Sequence, residues 1–183
     1  MAVKSVLVVL VFCLGAGTAL DMSKYCSVNF PRPCPLKNYE NWYSIGSLCA
    51  KYEGTPLNYS EAEFACRKSV LGGHLVSVHN NEANVNVLCL VTKYNQTSQR
   101  VWLGAFELFR TTKFVWTDGS DWNYSNWLPG QPDNTANVED CVEMNWKNTG
   151  KWNDDRCSAQ KSYVCAFKNR ARESKQERDY ERE

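Results

Sequence analysis

The chain has almost no net charge and very little histidine. Its 21 basic and 20 acidic residues leave a formal charge of +1, so bulk electrostatics would hold neither nucleic acid nor an anionic membrane, and neither is expected as a partner. His74 and His79 are the only histidines and no cysteines stand as Cys-x-x-Cys, which argues against zinc. There is no long hydrophobic run either: the apolar stretch from Val6 to Ala16 is too short to span a bilayer comfortably, and nothing later resembles a membrane span. No Ser/His/Asp or Cys/His set with free members can be assembled. The acidic pairs Glu139-Asp140 and Asp154-Asp155 are neighbours in the chain, unlike glycosidase carboxylates that face one bond from two sides. An enzyme is not expected.

Cysteine, by contrast, is plentiful. Lys4, the apolar run and the small residues Gly17 and Ala19 have the build of a cleaved export signal over residues 1–19. Removing it takes away Cys13 from the 9 cysteines and leaves an even number in an oxidising compartment, where disulfides form and persist. A secreted, extracellular protein is expected, with length for one domain and a single core. Asn58, Asn95 and Asn123 head Asn-x-Ser/Thr sequons, candidate N-glycosylation sites wherever they are accessible.

Residues 20–33 read as an N-terminal leader. Pro31 and Pro33 fix their own φ and keep their predecessors out of helix, so Asn29 to Pro33 should be extended. Ser60-Glu61-Ala62-Glu63 has capping-box spacing and predicts a first helix through Lys68, carrying Cys66. His74 to Val78 alternates like a strand, with both histidines in or beside it as bystanders, and Asn80 or Asn81 can cap a second helix to about Tyr94, carrying Cys89. From Val101 on, short aromatic and β-branched runs at Val101–Leu103, Lys113–Thr117, Cys141–Trp146 and Tyr163–Phe167 alternate with turn residues and predict strands. Trp102, Trp116, Trp127 and Trp152 are expected in the core. Residues 168–183 carry no aliphatic side chain larger than Ala171 and predict a solvated, charged tail.

Gln131-Pro132-Asp133, Glu139-Asp140 and Asn153-Asp154 gather oxygen ligands with no nucleophile among them. A hard cation such as Ca²⁺ takes about six to eight oxygens from carboxylates, amides, backbone and water, a mixture that Gln131, Asp133, Glu139, Asn153 and Asp154 offer. Alone, Gln-Pro-Asp is more often an ordinary turn. Its combination with the later acid and amide favours metal.

The order of helices, strands and cysteines, with Trp102-Leu103-Gly104, Gln131-Pro132-Asp133 and Trp152-Asn153-Asp154, resembles the C-type lectin-like domain family over nearly all of residues 34–167. The resemblance implies an α+β fold of two helices, antiparallel sheets and a long calcium-binding loop. It also implies disulfides Cys66–Cys165, Cys141–Cys157 and Cys34–Cys49. Cys26 and Cys89 remain, to bond to each other or to link two chains as a homodimer.

In that family the sugar is gripped through the calcium, so Gln131, Asp133, Glu139, Asn153 and Asp154 are implied as both metal and sugar ligands, with Pro132 cis. The Gln-Pro-Asp order looks like the galactose-type arrangement and implies galactose or N-acetylgalactosamine glycans as partners. Thr135 stands where strong galactose binders place an aromatic, a part for which Trp146 or Trp122 could substitute. A second family calcium site is matched by Glu107, Asn134 and Asp140 but has Thr111 in place of a carboxylate, so one metal site is expected. The rival reading is the same fold on ice, mineral or a protein surface. Type II antifreeze proteins resemble this domain and use threonines beside the metal, as Thr135 would allow.

Overall fold

In the computed structural model, residues 22–28, 30–95 and 99–169 are described. The expected export signal, Gln96 and Thr97 of one sequon, and residues 170–183 lie outside them. The described chain forms α1 (Met22–Val28), β1 (Tyr43–Ile45), β2 (Leu48–Leu57), α2 (Tyr59–Ser69), β3 (His74–Leu75) and α3 (Asn81–Tyr94). These are followed by β4 (Val101–Glu107), β5 (Phe114–Trp116), β6 (Cys141–Met144), β7 (Trp152–Asp155) and β8 (Lys161–Lys168).

One sheet carries the fold, in the order β1-β2-β8-β4-β6-β7, with β3 added to β8 and β5 to β4. The expected antiparallel sheets are therefore corrected to a single mixed sheet. The last strand inserts between β2 and β4 and runs parallel to β4, pairing Val101 with Ser162 and Trp102 with Tyr163. Side-chain alternation reports which face of a strand is buried and not which strand lies beside it. β8 is consequently buried along almost its whole length. The sheet also takes in Lys168, and the buried Asn169 donates its N–H to Ser47 O at 2.8 Å, so the first two residues of the expected tail are folded.

Gly104 explains part of the Trp102-Leu103-Gly104 run. Its N–H donates to Val76 O at 2.8 Å, and a Cβ there would fall 2.4 Å from Leu75 O. Only glycine lets the two segments approach so closely. Trp102 and Trp152 are fully buried and Trp116 is nearly so, and Trp127 is half-buried against the cluster that holds Trp116 and Trp152.

Asn80 caps α3 by accepting from Ala83 N–H at 2.8 Å. α2 corrects its expected start: Asn58, not Ser60, is the N-cap, accepting from Glu61 N–H at 3.0 Å while Glu61 reaches back to Asn58 N–H. Both spacings satisfy a capping box, and the difference lies in Glu63, whose carboxylate is engaged elsewhere. α1 is a third helix within the expected leader. Its Cys26 bonds to Cys89 on α3, so neither cysteine is left to link a second chain. Beyond it the proline stretch is extended, with Pro33 bridging Tyr43. The other bonds are Cys34–Cys49, Cys66–Cys165 and Cys141–Cys157, the pairs that the resemblance implies.

Glu63 joins α2 to β3. Its Oε2 accepts from Leu75 N–H and its Oε1 from Arg67 Nε, with His74 Nδ1 2.8 Å from Oε1. Burial pushes the carboxyl up, but the Leu75, Arg67 and His74 contacts together outweigh it and hold Glu63 below its ordinary value. A folded-state pKa below the unfolded one contributes stability above the unfolded pKa, and that contribution is lost as pH falls through the folded value. Glu63→Gln should cost about 1–3 kcal/mol at neutral pH, and its gap from the parent should shrink below about pH 4. Denaturant midpoints at pH 7 and pH 3 check this; an equal gap at both contradicts it.

Candidate metal centre

The site is built on the hairpin of β6 and β7 and the long loop before it. Antiparallel pairing sets Val142 opposite Asp154 and Glu143 opposite Asn153, and the Cys141–Cys157 disulfide ties the hairpin just beyond. Asp154 is buried, and it organises the loop: its Oδ1 accepts from Asp133 N–H at 3.2 Å and its Oδ2 from Asn134 N–H at 2.7 Å. The Gln131–Pro132 bond is cis.

Within the loop, Gln131 donates through Nε2 to Asp133 Oδ2 and accepts from Asp133 N–H, both at 3.0 Å. Thr135 donates its hydroxyl to Asp133 Oδ1 at 2.8 Å and its N–H to Glu139 Oε2 at 3.0 Å. Asn134 Oδ1 accepts from Glu139 N–H at 3.1 Å. The outcome is convergence: Asp133, Glu139 and Asp154 each place a carboxylate oxygen within 4.8 Å of the others. Gln131 is tied to this trio through Asp133. Asn153 is buried beside Asp154 and donates through Nδ2 to Glu143 Oε1 at 2.9 Å and to Asp154 O. That backbone carbonyl is an acceptor for the neighbouring amide in this arrangement.

Three carboxylates so close repel one another. Burial pushes Glu139 upward, and the charges of Asp154, Asp155 and Asp133 add to it. Burial likewise raises Asp154 above its ordinary value, against the opposing hydrogen bonds from Asn134 and Asp133. Asp133, on the surface, is lowered by its hydrogen bonds from Thr135 and Gln131. A bound cation would relieve the repulsion, and the donors are all oxygen, with no thiolate or imidazole. That set suits Ca²⁺.

Glu143 is the residue that sequence reasoning missed. It is fully buried and meets both Arg100, through two nitrogens, and Lys161, at 3.2 Å, while Asp155 meets the same two cations. These cations neutralise the acids beneath the site, and among the described residues no lysine or arginine forms an ion pair with the upper trio. Glu143 also fixes the Asn153 amide, a supporting role in which such groups orient metal ligands. Its signal was an acidic residue inside an otherwise apolar strand, Cys141-Val142-Glu143-Met144.

Elsewhere, Asn134 Nδ2 lies 3.5 Å from Glu107 Oε2, Glu107 Oε1 accepts from Thr112 N–H, and Asp140 Oδ1 is buried with no hydrogen-bond partner among the described residues. Thr111 turns its hydroxyl to Leu108 O. Of the rings considered for stacking, Trp122 packs among Phe114, Trp116, Trp127 and Trp152, and Trp146 carries the Lys147 ammonium 3.8 Å over its face. His74 and His79 do not join the trio. Asn58 caps α2, and Oδ1 of exposed Asn123 lies 3.0 Å from His79 Nδ1, as an acceptor.

Residues 55–167 match the family described as Lectin C-type domain. The chain belongs to the C-type lectin domain family. It is 34% identical over 137 residues to a lectin from Pleurodeles waltl, covering 75% of this chain and 80% of the relative. It is similarly 34% identical over 137 residues to a mannose-binding C-type lectin isoform from Notechis scutatus scutatus, covering 74% and 84%. The galactose-specific lectin nattectin from Thalassophryne nattereri is 32% identical over 133 residues, covering 73% and 79%.

Among solved structures, the C-type lectin CEL-I from Cucumaria echinata superposes with a TM-score of 0.66 at 28% identity, covering 74% of this chain and 97% of that one. Herring type II antifreeze protein reaches 0.64 at 27% identity, covering 74% and 98%. The fold is thus a C-type lectin-like domain with a mixed sheet and four disulfides.

Charge count at the trio governs cation affinity. Asp133→Asn and Glu139→Gln should each weaken calcium uptake by roughly tenfold or more, read by calorimetry, with unfolding in chelator unchanged. Uptake equal to the parent in both contradicts the assignment.

Proposed function

We propose that this chain is a secreted, calcium-dependent lectin for galactose-type glycans, with Gln131, Asp133, Glu139, Asn153 and Asp154 as ligands of one ion and of the sugar. The convergence of Asp133, Glu139 and Asp154 within 4.8 Å carries the reading. Bound calcium would supply the positive charge that holds two neighbouring sugar hydroxyls at the site. The chain's own groups then set their hydrogen bonds: carboxylates of Asp133 and Glu139 accept, the Gln131 amide donates, and the Asn153 amide donates on giving up its hydrogen bond to Asp154 O. An amide before Pro132 and an acid after it offer one polarity to the diol, and a sugar presenting the opposite polarity leaves polar groups unmatched at a cost of about 1–3 kcal/mol.

Relatives include proteins named mannose-binding as well as galactose-specific, so the sugar preference rests on the Gln-Pro-Asp order. Export follows from the signal-like residues 1–19, and among the described residues no helix is long and apolar enough to cross a membrane. N-glycans are proposed at Asn58, Asn95 and Asn123. Extracellular calcium sites of this kind bind with Kd on the order of 10⁻⁴ to 10⁻³ M. Useful avidity therefore needs several sites per particle, and a Cys26 or Cys89 crosslink between chains does not provide them.

One observation favours a second reading. The antifreeze likeness coincides with an exposed Thr135 whose hydroxyl sits on Asp133, so ice binding is the rival. The purified protein should be retained on galactose-agarose in calcium, pass through mannose-agarose, and elute with chelator. Absence of retention together with inhibition of ice recrystallisation would transfer the assignment to the rival.

A further inference from the structure

A groove of about 450 Å³ adjoins the candidate centre, lined by Thr112, Lys113, Phe114, Trp122, Trp127 and Pro132. That volume lies within the range of roughly 300–1,000 Å³ found for small-ligand sites. Pro132 belongs to both places, because it is a wall of the groove and the residue between Gln131 and Asp133. Whatever sits at the centre therefore has the groove as its immediate neighbour on this side.

The walls have a particular chemistry. Phe114 is buried, and Trp122 and Trp127 lie 5.7 and 4.9 Å from it, centroid to centroid. Both tryptophans are half-buried, so each is locked by its inner packing while part of its ring remains open to the groove. Rigid indoles present an apolar surface at little entropic cost on binding. At the rim stand exposed Thr112 and Lys113, a hydroxyl and an ammonium that hydrogen-bond oxygen-rich ligands. Rings below and hydrogen-bonding groups around the edge suit a pyranose, with its apolar C–H face and equatorial hydroxyls.

We infer that this groove is a second saccharide subsite, taking the next ring of a galactose-terminated oligosaccharide whose end sugar is held at the calcium. The inference rests on the proposed lectin reading and adds to it that the ligand is an oligosaccharide rather than a single sugar. It also supplies the aromatic platform that Thr135 does not, on the Pro132 side of the motif instead of beyond Asp133.

Calorimetry of the full chain in calcium tests this with methyl galactoside, galactose-terminated di- and trisaccharides of several linkages, and octyl galactoside. At least one oligosaccharide should bind about fivefold or more tighter than methyl galactoside, a gain the size of one aromatic contact. Lys113→Ala, at an exposed position that leaves the packing alone, should reduce that gain while leaving methyl galactoside affinity within about twofold, and Trp122→Leu should abolish the gain. No gain for any linkage, a gain untouched by both variants, or an equal gain for octyl galactoside would overturn the subsite while leaving the lectin reading in place. No binding of methyl galactoside in calcium would overturn the lectin reading and the subsite with it.

Discussion

The carboxylate of Asp154 decides where the long loop lies. Held on β7 by a hairpin that Cys141–Cys157 closes, it accepts two consecutive loop N–H groups, those of Asp133 and Asn134. The loop's own side chains then follow, with Thr135 bridging Asp133 to Glu139. A buried acid thus gathers two further acids around itself. Loops ordinarily separate like charges, and here hydrogen bonds from backbone N–H groups offset part of the repulsion.

The charge arrangement divides into two storeys. Below, Glu143 and Asp155 share Arg100 and Lys161, and the acids are compensated. Above, Asp133, Glu139 and Asp154 meet one another, and among the described residues none of the three forms an ion pair with lysine or arginine. Asn153 connects the storeys, since Glu143 orients its amide from beneath. Buried ion pairs contribute little net stability as a rule, and orienting a ligand amide gives this one a use in the site.

Much of this was legible in the chain. α3 could be read from Asn80 and its helical period because cap and pattern agree there, and Gln131, Asp133, Glu139, Asn153 and Asp154 stood out through their spacing. α2 showed the limit of a local rule: Asn58-x-x-Glu61 and Ser60-x-x-Glu63 look alike, and the choice depends on Leu75, Arg67 and His74 claiming Glu63. α1 has only seven residues and owes its position to the Cys26–Cys89 bond. β2 carries Gly54 and Pro56, which mask its strand character. Glu143 escaped notice because its partners Arg100, Asn153 and Lys161 are distant in sequence, and the parallel partner of β8 is likewise a long-range choice.

Diffraction from crystals grown with calcium would test the central claim most directly. The account predicts one ion bonded to oxygens of Asp133, Glu139 and Asp154, at about 2.3–2.6 Å. Saturating calcium with water alone between those three carboxylates would contradict it.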